Sequence, residues 1–244
     1  MPNPVTAPSA AEEGRRLGFY GKLPMRGDFL SRGLSSDFIL PWDEWLQRAI
    51  TASRTQLGEA WLPIYLSAPI WRFVFAAGVC GAAPAIGVMM PSVDRVGRYF
   101  PLAIVFHPSV CAAPLGLLES AGSWFATLEQ LALGTLEEAA DLASFEHALG
   151  ELEPPPGIDA AGASVHPDGP AVVIRAGGDD AIRAGAPALL DGVIGGMREP
   201  WTLWWTTGSE AVEPCLLAAA GLPPPGGFAA LLDGQWERWG WKTR

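Results

Sequence analysis

The sequence predicts an α/β fold, a sheet covered by helices on both faces, and three observations carry that prediction. Residues 71–77, 85–90 and 100–106 form apolar runs that are nearly continuous, as strands buried on both faces are. Apolar residues recur at helical spacing before them, at Trp42, Trp45, Leu46, Ala49 and Ile50, and helical stretches follow over 114–133 and 137–149. Two more strand-like runs, 201–207 and 215–220, close the series. Helices in front of, between and behind strands suit one α/β unit. The later strands are too few to close a core of their own, so the reading is a single domain over residues 17–244.

Each element has a local reason. Residues 1–16 are rich in proline, alanine and glutamate and read as a disordered lead, without the basic start and apolar core of a secretory signal. Residues 17–23 read as a short strand that runs into the turn-rich segment Pro24-Met25-Arg26-Gly27-Asp28-Phe29. Pro41-Trp42-Asp43-Glu44 predicts a helix start, with proline at the first helical position and carboxylates at the positive end of the helix dipole. Gly58 closes that helix, and Gly134 and Gly150 end the two later ones. The polar segment 91–99 joins the second and third apolar runs. Residues 154–170 begin with three prolines and form a loop or tether. Beyond it lie a short strand over 171–175, a poorly formed helix over 182–195 and a terminal helical turn over 228–232.

Composition narrows the function classes. The chain of 244 residues is 49% hydrophobic and 17% charged, which excludes intrinsic disorder as its general state. No apolar run reaches the roughly 18 residues that span a bilayer, and three scattered cysteines suit a reducing compartment. The expected location is therefore cytoplasmic, with no membrane insertion. The net charge of −10 opposes nucleic-acid binding. That charge sits at the rear: residues 1–110 hold ten Lys/Arg against eight Asp/Glu, and the remainder six against eighteen. Apart from Lys22 the front cations are all arginines, the residue suited to planar, bidentate pairing.

A search for catalytic machinery returns nothing assembled. The sequence has no nucleophile elbow, phosphate loop, zinc-binding HExxH or dinucleotide fingerprint. His107, His147 and His166 share no ligand spacing, and Asp168 with Asp179-Asp180 are explained as well by loop solubility as by a cation. No cofactor or metal is expected. The dense polar cluster is Ser92, Asp94, Arg95 and Arg98. One reading is an ion-pair network that braces the loop; another is a surface for an acidic or phosphorylated partner. A third, hydrolysis through Ser92, lacks an identifiable base. Of the eleven tryptophans most should be core, while Trp236, Trp239 and Trp241 either pack back on the domain or form an interface.

Several stretches resemble the type VI secretion-associated TagF family, also called ImpM. They are Gly21-Lys22-Leu23-Pro24 with Arg26-Gly27-Asp28-Phe29, Pro41-Trp42-Asp43, Trp71-Arg72-Phe73, the long segment 91–102, Leu203-Trp204-Trp205-Thr206 with Gly208-Ser209, and Gly221-Leu222-Pro223. The resemblance implies a three-layer α/β/α sandwich with a central mixed sheet. It also implies a non-catalytic accessory protein that represses assembly of a bacterial type VI secretion system after translation, through the forkhead-associated scaffold protein of that system. The expected partner-binding cluster is Arg26, Asp28, Arg72, Ser92, Asp94, Arg95 and Arg98, with Trp42 and Asp43 in support. The alternatives are a hydrolase or phosphatase-like enzyme using the 92–98 loop, and a structural subunit of the apparatus.

Overall fold

The computed structural model describes residues 17–109, 111, 114–156 and 200–242. The expected lead over 1–16, most of the 154–170 loop, the 171–175 strand and the 182–195 helix lie outside the described residues. Among the described residues seven strands form one sheet: β1 (Leu17–Gly21), β2 (Leu30–Arg32), β3 (Trp71–Phe75), β4 (Ala85–Met90), β5 (Leu102–Phe106), β6 (Trp201–Thr206) and β7 (Cys215–Ala220). Their spatial order is β2-β1-β5-β4-β3-β6-β7. Every pairing among them is antiparallel, so the expected mixed sheet is corrected. For the β3–β4, β4–β5 and β6–β7 pairs the physical reason lies in the connections. Segments 76–84, 91–101 and 207–214 fall short of the dozen or so residues that a parallel crossover needs.

Alternation along the strands builds two apolar clusters. Tyr20, Trp71, Phe73, Phe75, Met89, Val105 and Trp204 pack on one face with α1 (Ser36–Leu57), α2 (Trp61–Ser67) and α6 (Phe228–Asp233). Phe19, Val74, Ile86, Val88, Ile104, Leu203 and Trp205 pack on the other with α3 (Gly116–Ser120), α4 (Gly122–Gly134) and α5 (Leu142–Gly150). Neighbouring residues such as Trp204 and Trp205 therefore serve opposite faces, as the two-residue period of a strand requires. Covering both faces is also why β4 and β5 are buried along their whole length.

The helix boundaries differ from the expected ones in instructive ways. Helix α1 begins at Ser36, with Ser35 as N-cap accepting from the Phe38 amide, and Pro41 lies inside it. Asp37, rather than Asp43 or Glu44, occupies its first turn. The apolar stripe and the closing Gly58 stand as expected. The single helix expected over 114–133 is two, and α5 starts later than expected because Asp141 caps it, accepting from the Ser144 amide. The C-terminal tryptophans fold back on the domain: Trp241 donates to Gly227 O, Trp239 reaches Asp233, and Trp236 meets the edge of Trp71.

Candidate functional site

Two loops at one end of the sheet meet side by side: residues 22–29 after β1, and residues 91–101 between β4 and β5. The second loop is a tight hairpin. Val93 bridges Tyr99, Asp94 N donates to Arg98 O at 3.0 Å and Gly97 N donates to Asp94 O at 3.0 Å. Gly97 turns the tip with φ +82°, a left-handed value that side-chain-bearing residues rarely adopt. The loops are then tied across. Arg95 N donates to Arg26 O at 2.8 Å, Ser92 Oγ donates to Lys22 O at 2.7 Å and the Arg98 guanidinium donates to Gly27 O.

Asp94 is the centre of this junction. Its side chain is fully buried and accepts four hydrogen bonds: from Lys22 Nζ at 2.6 Å, Arg98 Nε at 2.7 Å, Arg98 N at 2.8 Å and Val96 N at 3.0 Å. Burial pushes its pKa up, but Lys22, Arg98 and the two amides outweigh that and hold the carboxyl well below the usual carboxylate range. Lys22 is itself buried, with its ammonium 4.3 Å from the Phe29 ring centroid. Behind the hairpin, the Tyr65 hydroxyl donates to Ser92 O and accepts from Ser92 N, both at 3.0 Å. Burial raises the Tyr65 pKa, so the hydroxyl stays protonated and available to donate.

This geometry sorts the expected residues. Arg26, Asp28, Arg95 and Arg98 come together at the surface, all exposed. Arg98 is anchored through Asp94, whereas the Arg26 and Arg95 side chains form no hydrogen bond or ion pair among the described residues. Asp28 accepts from the Phe29 amide at 2.8 Å. Ser92 and Asp94 belong to the buried brace beneath. Trp42 does not join the surface: it is completely buried among Trp45, Phe73, Phe75 and Trp204. Asp43 is half-buried and accepts from the Tyr20 hydroxyl at 2.6 Å, linking α1 to β1. Arg72 lies on the opposite face of the sheet, in a bidentate pair with Glu129 of α4 at 2.7 and 3.0 Å. Its guanidinium packs near the Phe125 ring.

Sequence reasoning missed Lys22 as a member of the site, and it missed a groove beside the hairpin. That groove holds about 620 Å³ and is lined by Arg54, Glu59, Trp61, Leu62, Arg98 and Tyr99, with Gly58 and Gly97. Chemically this end of the sheet offers one anchored guanidinium, Arg98, and two exposed ones, Arg26 and Arg95, on a braced backbone. Among the described residues no group of three or more His, Cys, Asp or Glu side chains is arranged to hold a metal ion.

The family model of the TagF N-terminal domain, type VI secretion system-associated, matches residues 18–152, a span that contains both loops and more than half of the chain. The chain belongs to the TagF family. TagF membership makes it a type VI secretion-associated protein. Among solved structures, it is similar to PA0076 from Pseudomonas aeruginosa PAO1 at 36% identity, with 90% of this chain and 94% of that one covered and a TM-score of 0.74. No curated protein matches it. No helix among the described residues is long and apolar enough to cross a membrane.

Proposed function

We propose that this TagF chain is a non-catalytic, cytoplasmic accessory protein that represses assembly of a type VI secretion system after translation. It does so by binding a component of the system, in the first instance its forkhead-associated scaffold protein. The carrying observation is the pair Arg26 and Arg95: exposed, without an ion pair among the described residues, and held on a backbone fixed by the buried Lys22–Asp94 bridge. A rigid base lowers the entropy lost when such side chains meet a partner.

The non-catalytic reading is supported by Ser92, whose hydroxyl proton goes to Lys22 O rather than to a base, while the Lys22 ammonium is committed to Asp94. The separate apolar clusters on the two sheet faces support taking the architecture as a three-layer α/β/α sandwich. The test is a secretion assay in the bacterium that encodes the chain. Overproduction should lower the secreted amount of the system's tube protein, and deletion should raise it with transcript levels unchanged. Unchanged secretion in both strains contradicts repression. Stoichiometric retention of the chain in the purified apparatus favours a structural subunit instead.

A further inference from the structure

The groove beside the hairpin combines three features that the brace does not need. First, Arg54 projects from the last turn of α1 and lies over Trp61, with its guanidinium carbon 4.2 Å from the ring centroid. A guanidinium held over a ring in this way keeps N–H donors for a partner. Second, Arg54 forms no ion pair among the described residues, although Glu59 lines the same groove. Arg98 adds a second guanidinium, 56% exposed on its side chain, from the hairpin on the other wall. Third, apolar surface is exposed here: Leu62 at 37%, with Leu66 one helical turn further on at 56% and Val96 on the hairpin tip at 65%.

We propose that this groove is the docking site for a carboxylate-rich peptide segment of a partner protein, with one aliphatic side chain seated against Leu62 and acidic groups held by Arg54 and Arg98. Charge complementarity selects that occupant. The chain as a whole carries −10, so an acidic segment is repelled over most of the surface and drawn to the end where Arg26, Arg54, Arg95 and Arg98 stand exposed. The volume of about 620 Å³ accommodates a few side chains. The inference rests on the reading of the chain as a partner-binding regulator and adds where the partner docks and what chemistry it presents.

The test is fluorescence anisotropy on the full chain, with a short labelled peptide of glutamates and aspartates flanking one leucine, and an amide twin carrying glutamines and asparagines. The acidic peptide should bind saturably and the twin should not. Arg54→Gln should weaken binding by about tenfold or more. Leu62→Glu, which sets a carboxylate in the groove, should do the same through a different residue should Arg54→Gln perturb the end of α1. Arg48→Gln, on the same helix but paired with Glu44 outside the groove, should leave binding unchanged. No binding of the acidic peptide, or binding to the Arg54→Gln and Leu62→Glu chains as tight as to the native chain, overturns the proposal. Titration of the scaffold protein separates this inference from the functional one. Scaffold binding that survives Arg54→Gln but is lost in Arg26→Ala/Arg95→Ala overturns the groove and leaves the regulator standing. A scaffold that never binds, beside an acidic peptide that does, overturns that partner and leaves the groove.

Discussion

Replacing Asp94 with alanine removes the carboxylate that neutralises Lys22, and the consequence can be worked from the geometry. The two side chains are 0% and 4% exposed, so the ammonium left behind has almost no access to water. Breaking a buried ion pair from one side typically costs about 3–5 kcal/mol. In a chain of this size each kcal/mol lowers the melting temperature by roughly 2–4 °C, which gives a fall of roughly 6–20 °C. Lys22→Met should cost less, roughly 1–3 kcal/mol, because Asp94 keeps Arg98 and two backbone amides as donors. The double variant removes both charges and leaves neither buried without its partner, so its loss should fall short of the sum of the single losses by more than about 0.5 kcal/mol. Urea denaturation of the four proteins at neutral pH measures all of these terms. A loss below about 1 kcal/mol in Asp94→Ala, or strict additivity, would refute the view that this pair braces the loops.

The same pair sets an acid limb. The folded pKa of Asp94 lies below its unfolded value, so its contribution is complete above about pH 4 and is lost as pH falls through the depressed folded value. Stability measured downward from pH 5 should therefore drop more steeply in the native chain than in Asp94→Asn, and parallel curves would contradict this. Trp42→Ala should cost about 3–5 kcal/mol in chemical denaturation while leaving partner affinity per folded molecule unchanged; a stable variant with weakened binding would return Trp42 to the site. Arg72→Ala should cost roughly 1–3 kcal/mol through loss of the bidentate Glu129 pair. It should not alter scaffold binding by calorimetry, since Arg72 faces away from the hairpin.

The central strands were legible because burial on both faces leaves an unbroken apolar run. That run does not encode direction, so it could not correct the mixed sheet that the resemblance implied; the short connections 76–84 and 91–101 carried that information for β3, β4 and β5. Strand β2 has three residues at the sheet edge and one of them is charged, so no periodicity announces it. Helix α2 hid behind Pro63, which interrupts a helical pattern to the eye while standing within the first turn, where proline is tolerated. Within the site, the 91–98 hairpin stood out as a polar segment between apolar strands. Lys22 did not, because its burial depends on a carboxylate seventy-two positions away. Arg72 was assignable in principle: it alternates with Trp71 and Phe73, which pack beneath α1, so its side chain had to leave by the other face. Trp42 belonged to the helical stripe that buried it. Arg54 and Trp61 lie on different elements, and only the fold brings them together in the groove.

Isothermal titration of the forkhead-associated scaffold into the native chain and into Arg26→Ala/Arg95→Ala tests the central claim most directly. The account predicts micromolar or tighter binding to the native chain, about −8 kcal/mol or better. It predicts at least about a tenfold loss in the double variant with an unchanged thermal transition. Equal affinity in the two proteins would contradict the claim that the exposed arginines of the braced hairpin carry the interaction.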